Sequence, residues 1–174
     1  MTAAAADSLL GPALVEEATK KSGLIWVKGA LPGARALWHV WHDGGAVVVG
    51  DGPGEQPLRG LRPGHPAEVT VRSKDKGGRL VAWTATVTAL DPGSPEWDAA
   101  VAELKGKRLN AHDGEAMTER WARECRVLRL TPEDAITDLP DGSLAAAPMP
   151  TAATTRRPIP AALPRLLLKR RRKA

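Results

Sequence analysis

Residues 79–90 read RLVAWTATVTAL, and their parity decides what kind of fold this chain builds. Val81, Trp83, Ala85 and Val87 fall on one face, while Ala82, Thr84, Thr86 and Thr88 fall on the other. That is the two-residue alternation of a strand with one face against a core. A slip of one residue would exchange the two sets, so the register is well specified. Upstream, four more runs rich in Val, Trp and Thr have the same character: Leu24 to Val27, Arg35 to Asp43, Ala46 to Gly50 and Ala67 to Ser73. Gly, Pro or Asp bounds each of them. Turn signals such as Asp43-Gly44-Gly45 and Lys76-Gly77-Gly78 join neighbouring runs, which predicts antiparallel hairpins closing into a barrel rather than parallel crossover units.

Downstream, Ser94-Pro95-Glu96-Trp97 starts a helix: Ser94 suits the N-cap, Pro95 the first turn, and Glu96 complements the helix dipole. Trp97, Ala100, Val101 and Leu104 recur at helical spacing, so that face is expected on the barrel, with Gly106 as a stop. Met117 to Ala122 offers one or two further helical turns. A sixth strand, Cys125 to Leu130, ends at Thr131-Pro132. Before the barrel, a short helix is expected over Leu14 to Lys21, with Glu16 and Glu17 near its positive end and Lys20 and Lys21 near its negative end. The expected fold is therefore mainly β (α+β), a six-stranded antiparallel barrel with a few short helices.

The chain has 174 residues, 43% of them hydrophobic and 26% charged, which fits one globular core. No apolar run approaches membrane-spanning length, and the opening MTAAAADSLLGPALVEE lacks a basic leader, so a cytoplasmic location is expected. The net charge of +5 is unevenly placed. Residues 151–174 carry eight basic residues and no acid, leaving 17 basic and 20 acidic residues in the remainder. The basicity belongs to a tail, which argues against a nucleic-acid-binding globule. Residues 1–12 look frayed, residues 13–133 hold the barrel, residues 134–161 form a Pro/Ala-rich linker, and residues 162–174 pair Leu166-Leu167-Leu168 with a basic run. Such a tail suits an anionic membrane surface, nucleic acid or a protein groove, or is only a solubilising end.

Residues 37–45, LWHVWHDGG, hold two of the four histidines. In a strand, His39 and His42 point to opposite faces and cannot share an ion. His65 and His112 stand in isolated contexts, and no Cys pair exists, so no metal site is expected. The same parity puts Arg35, Leu37, His39 and Trp41 on one face and Ala36, Trp38, Val40 and His42 on the other. Tryptophan on both faces implies that the second is covered by a helix, a subunit or a flat ligand. Nucleotide-binding glycine patterns and the serine-nucleophile elbow are absent. Cys125 fits a buried small apolar position. Arg35, Arg72, Lys74 and Arg79 near strand ends would serve either as solvated charges or as holders of an anionic group.

Three segments, ARALWHVWHDGGAVVVGDGPGEQPLRGLRPGHPAEVTV, GGRLVAWTATVTAL and ERWARECRVLRLTP, make the chain resemble the split β-barrel flavin-binding proteins, the pyridoxamine 5′-phosphate oxidase-like superfamily, including its deazaflavin-dependent relatives. The resemblance covers residues 13–133. It implies a homodimer with FMN or deazaflavin in clefts between subunits and hydride transfer to a small-molecule substrate. Arg35 then matches the cation leading the second strand, His39 and Trp41 lie toward the cleft, and Gly52 to Gln56 matches the loop after the third strand. Gln56 suits a hydrogen bond to a ring or ribityl group, Arg59, Arg72 or Lys74 would supply a phosphate-holding cation, and no catalytic residue is assigned. Where such relatives place Ser with Arg or Lys in that loop, this chain has Gly54-Glu55-Gln56-Pro57. An acid there opposes phosphate binding. A non-catalytic dimeric barrel whose basic tail contacts a partner is the alternative.

Overall fold

The computed structural model describes residues 3–73, 78–108 and 113–133. The chain opens with helix α1 (Ala3–Lys21) and continues through strands β1 (Leu24–Lys28), β2 (Arg35–Trp38), β3 (Val40–His42), β4 (Gly45–Gly50), β5 (Pro66–Arg72) and β6 (Arg79–Ala89). Helices α2 (Pro95–Lys107) and α3 (Met117–Glu124) precede the last strand, β7 (Arg126–Pro132). Among the described residues, no helix is long and apolar enough to cross a membrane.

All pairings are antiparallel, in the order β2-β1-β5-β6-β7-β4-β3. The two outermost strands of that order, β2 and β3, are consecutive in the chain with only His39 between them. The run Arg35 to His42 therefore leaves one edge of the sheet and enters the other, which brings the sheet round into a nearly closed barrel. Seven strands result where six were expected. Up to Trp38 the run pairs with β1, Leu24 opposite Trp38; from Val40 it pairs with β4, opposite Val47. One continuous apolar run becomes two strands because its partner changes.

The alternation read from residues 79–90 sorts as expected. Val81, Trp83, Ala85 and Val87 are fully buried inside the barrel, beside Ile25, Val69 and Leu128. α1 closes one end of that interior with Val15, which is 1% exposed. A second apolar cluster lies outside the barrel wall. There Val47 and Val49 of β4, Val40 and Val127 meet Trp97, Val101 and Leu104 of α2 and Trp121 of α3. β4 is thus buried on both faces, which explains its unbroken GAVVVG. The Ser94 hydroxyl accepts from the Trp97 N–H at 3.1 Å, the expected N-cap. α2 presents Trp97, Ala100, Val101 and Leu104 to the barrel, the face its sequence predicts.

α2 and α3 lie over the outer face of β3, β4 and β7, and Trp38 at the end of β2 packs against Trp121 of α3. Beyond Trp38, the outer face of β1, β2 and β5 has no helix packed on it among the described residues, and the candidate site lies there.

Candidate functional site

On that uncovered face, register sets the residues side by side. Leu24 stands opposite Trp38, and Trp26 stands opposite Ala36 on one side and Thr70 on the other. Their strand neighbours Ile25, Val27 and Leu37 take the interior, so these side chains must point outward. Leu24 is 50% exposed, Ala36 is exposed, and Trp26 and Trp38 are half-buried. Two guanidinium groups flank the aromatic pair. Arg72 lies over the Trp26 ring at 4.7 Å, and Arg108, just after α2, lies 5.4 Å from the Trp38 ring. Arginine on an indole face gains from the ring quadrupole while keeping its hydrogen-bonding edges available. The result is an aromatic, cation-edged surface.

Trp38 also joins this face to the second apolar cluster, its ring 6.5 Å from that of Trp121. This explains the tryptophans on both faces of LWHVWHDGG. Trp41 turns inward, edge-on to Trp83 at 6.3 Å, and Trp38 turns outward against α3.

Behind Trp38, the loop from Asp51 to Leu58 folds back on itself. The Asp51 N–H donates to the Gln56 carbonyl at 2.9 Å and the Glu55 N–H to the Gly52 carbonyl at 3.1 Å. The Glu55 carboxylate is wholly buried. Its Oε1 accepts from Arg120 Nη2 at 3.1 Å and from Trp121 Nε1 at 3.0 Å, and its Oε2 lies 3.4 Å from Arg108 Nη2. Arg108 and Arg120 also donate to the carbonyls of Gly54 and Pro53, so both cations clamp the loop backbone. Asp113 completes the network, accepting from Arg120 Nε at 2.6 Å. The hydrogen bond to Asp113, joined by Glu55, raises the Arg120 pKa further above its already high value against the opposing effect of burial. Close approach is built in, since a Cβ at Gly52 would lie 2.3 Å from Cys125 Sγ. Burial also pushes the Cys125 thiol upward, which keeps it protonated and unreactive.

The residues singled out from sequence are dispersed. Arg35 begins β2 opposite Val27 and is exposed at the barrel rim. His39 lies in the break between β2 and β3, 7% exposed, with Nε2 2.9 Å from the Thr19 carbonyl of α1 and no partner for Nδ1. Burial lowers its pKa, with Lys107 acting in the same sense and the Thr19 contact opposing, so the ring is neutral. Gln56 is committed to the seam, where its amide accepts from the Trp38 N–H at 2.8 Å and donates to the Trp38 and Val49 carbonyls at 2.9 and 3.1 Å. Only Arg72 reaches the aromatic face. Lys74 lies outside the described residues. Among the described residues, no group of three or more His, Cys, Asp and Glu is placed to hold a metal ion.

Sequence reasoning missed Trp26, Arg108, Arg120 and Trp121 as site residues. Its one available signal was Glu55, a lone acid in a glycine-rich loop. An aromatic cofactor ring suits the Trp26–Trp38 face. A cofactor phosphate does not suit the loop behind it, where a carboxylate already sits against both arginines.

No family profile matches the chain, and no curated protein matches it in sequence. Solved structures do resemble it. The heme storage protein HutZ from Vibrio cholerae superposes with a TM-score of 0.50 at 12% identity, over 68% of this chain and 87% of that one. An FAD and heme binding protein from Mycobacterium smegmatis gives a TM-score of 0.45 at 16% identity, over 86% and 92%. The likeness to HutZ is one of fold: a split-barrel architecture carried by a very different sequence.

Proposed function

We propose that the chain is a split-barrel oxidoreductase of the cytoplasm that works as a homodimer and lays a flavin or deazaflavin ring on the outer face of β1, β2 and β5. One observation carries this reading. Trp26, under Arg72, stands with the half-exposed Leu24 on a sheet face that carries no helix among the described residues, and Trp38, under Arg108 and against Trp121 of α3, borders that face. An apolar face of this kind is costly to leave in water, and a second subunit with a planar ligand between the copies would bury it. When bound, such a cofactor supplies hydride transfer to a small substrate. The chain's own residues give stacking surfaces, with Arg108 at one edge, and positive charge from Arg72 at the other edge and Arg35 at the rim. His39, Trp41 and Gln56 contribute by shaping the strand that carries Trp38.

The test is a titration of the purified protein with riboflavin, FMN and a deazaflavin, followed by visible absorbance and tryptophan quenching. Hemin is included because HutZ is a heme storage protein. Binding of a flavin or deazaflavin tighter than about millimolar, weakened at least about tenfold by Trp26→Ala, supports the reading. No binding at that concentration would remove it. A second reading, a non-catalytic dimeric barrel whose basic tail contacts a partner, draws on the buried Glu55. Removing residues 134–174 separates the two, because cofactor binding would survive and partner binding would not.

A further inference from the structure

We infer that Glu55 is a built-in counterion filling an oxyanion cradle, so that the ligand of the adjoining aromatic face carries no phosphate at this position. Three groups from two parts of the chain converge on one carboxylate: Arg120 and Trp121 of α3 donate to its Oε1, and Arg108 after α2 is paired with its Oε2 at 3.4 Å. Two guanidinium groups with an indole N–H around a single anion is the donor set that a phosphate, sulfate or carboxylate recruits. Here the anion is covalently part of the loop, wholly buried, and tied down by its own backbone turns.

The cradle is filled imperfectly. Glu55 Oε2 and Arg108 Nε are both buried without a hydrogen-bond partner. A tetrahedral oxyanion has acceptors in more directions than a carboxylate and would satisfy both arginines, yet it cannot enter while Glu55 stays. Arg108 links this cradle to the aromatic face, because the same guanidinium lies over Trp38. A ligand stacked on Trp26 and Trp38 therefore meets at Arg108 a cation already neutralised, backed by a negative charge. The specificity follows from charge: an uncharged ribityl chain is accepted there and a phosphate ester is refused.

The experiment compares full-length wild type with Glu55→Ala. Thermal unfolding midpoints are recorded in sodium phosphate and in sodium chloride of equal ionic strength. Phosphate stabilises any folded chain to some extent by exclusion from its surface, so the wild-type midpoint is expected to rise by that general amount alone. That of Glu55→Ala is expected to be lower in chloride and to rise by about 3 °C more than wild type in saturating phosphate, since ligand binding to the folded state alone stabilises it. Indifference of Glu55→Ala to phosphate, or an equal rise in wild type, overturns the inference. Two flavin titrations add an arm that rests on the function proposed above. Wild type should bind FMN no more tightly than riboflavin, and Glu55→Ala should raise the FMN-to-riboflavin affinity ratio at least about tenfold. A wild-type preference for FMN of that size overturns the inference even if the variant does not fold. Failure of both flavins to bind counts against the cofactor reading alone, and the salt comparison then decides the role of Glu55.

Discussion

At the scale of single residues, Gln56 shows how a side chain can stand in for a missing strand. Where the run of residues 35–42 changes partner, the backbone N–H and C=O of Trp38 would lack mates on the β4 side, and the Gln56 amide supplies both while also reaching the Val49 carbonyl. The glutamine amide offers one acceptor and two donors, and all three are used here. Gln56→Ala should therefore lower unfolding free energy by about 2–3 kcal/mol, the cost of leaving partly buried backbone groups unsatisfied, read from urea denaturation midpoints. Gln56→Glu should cost as much, because a carboxylate cannot donate to the two carbonyls. His39, next to the seam, predicts a pH effect. Its pKa is held below the ordinary 6.5 by burial, so as pH falls below that value the unfolded chain takes up a proton that the folded chain refuses. Stability is then lost on acidification, at no more than about 1.4 kcal/mol per pH unit. His39→Gln should flatten this part of the stability profile relative to wild type. An unchanged slope between about pH 7 and pH 5.5 would show that His39 does not titrate there.

At the scale of elements, α2 is the most self-contained piece, and its start rests on one hydroxyl. Ser94→Ala should destabilise the protein by about 1 kcal/mol, since the Trp97 N–H loses its acceptor, and Ser94→Asp should restore it. Thermal midpoints of the three proteins check both statements. α2 was legible in the sequence because cap, proline and apolar spacing are local signals, and the long strand β6 was legible because its alternation is local too. The break at His39 was not. Inside and outside alternate without interruption through Leu37, Trp38, Val40 and Trp41, so the hydrophobic period carries no mark of the partner change from β1 to β4. Period encodes which face is buried and says nothing of which strand lies alongside. The same limit hid the site. Glu55 meets Arg120 and Trp121 across 65 and 66 residues of chain, through elements whose relative placement no spacing rule supplies. Parity placed Arg35 on the same face as His39, yet Arg35 ends at the rim while His39 is sealed beneath α1.

At the scale of the whole molecule, the barrel wall is clothed unequally. α2 and α3 lie over β3, β4 and β7 and reach Trp38 at the end of β2, while Leu24, Trp26 and Ala36 beyond it face outward with Arg72 over the Trp26 ring. A stable homodimer needs roughly 800 Å² from each partner, with aromatic and arginine side chains at its centre, and this strip has that composition. The strip also lies away from the tail's charge in sequence, since the eight basic residues of 151–174 follow the last strand. If the strip is the interface, sedimentation equilibrium of the full chain should give twice its 18.4 kDa mass at micromolar concentration. Trp26→Asp should return it to the single-chain mass, because a carboxylate at the centre of such a face is desolvated without a mate. Its unfolding midpoint, extrapolated to low protein concentration, should stay close to that of wild type, because Trp26 contributes to neither apolar cluster of the barrel. A monomeric wild type would remove the shared cleft and with it the route by which one copy completes the cofactor site of the other. A Trp26→Asp protein that stays dimeric would move the interface elsewhere and leave the aromatic strip to the ligand alone.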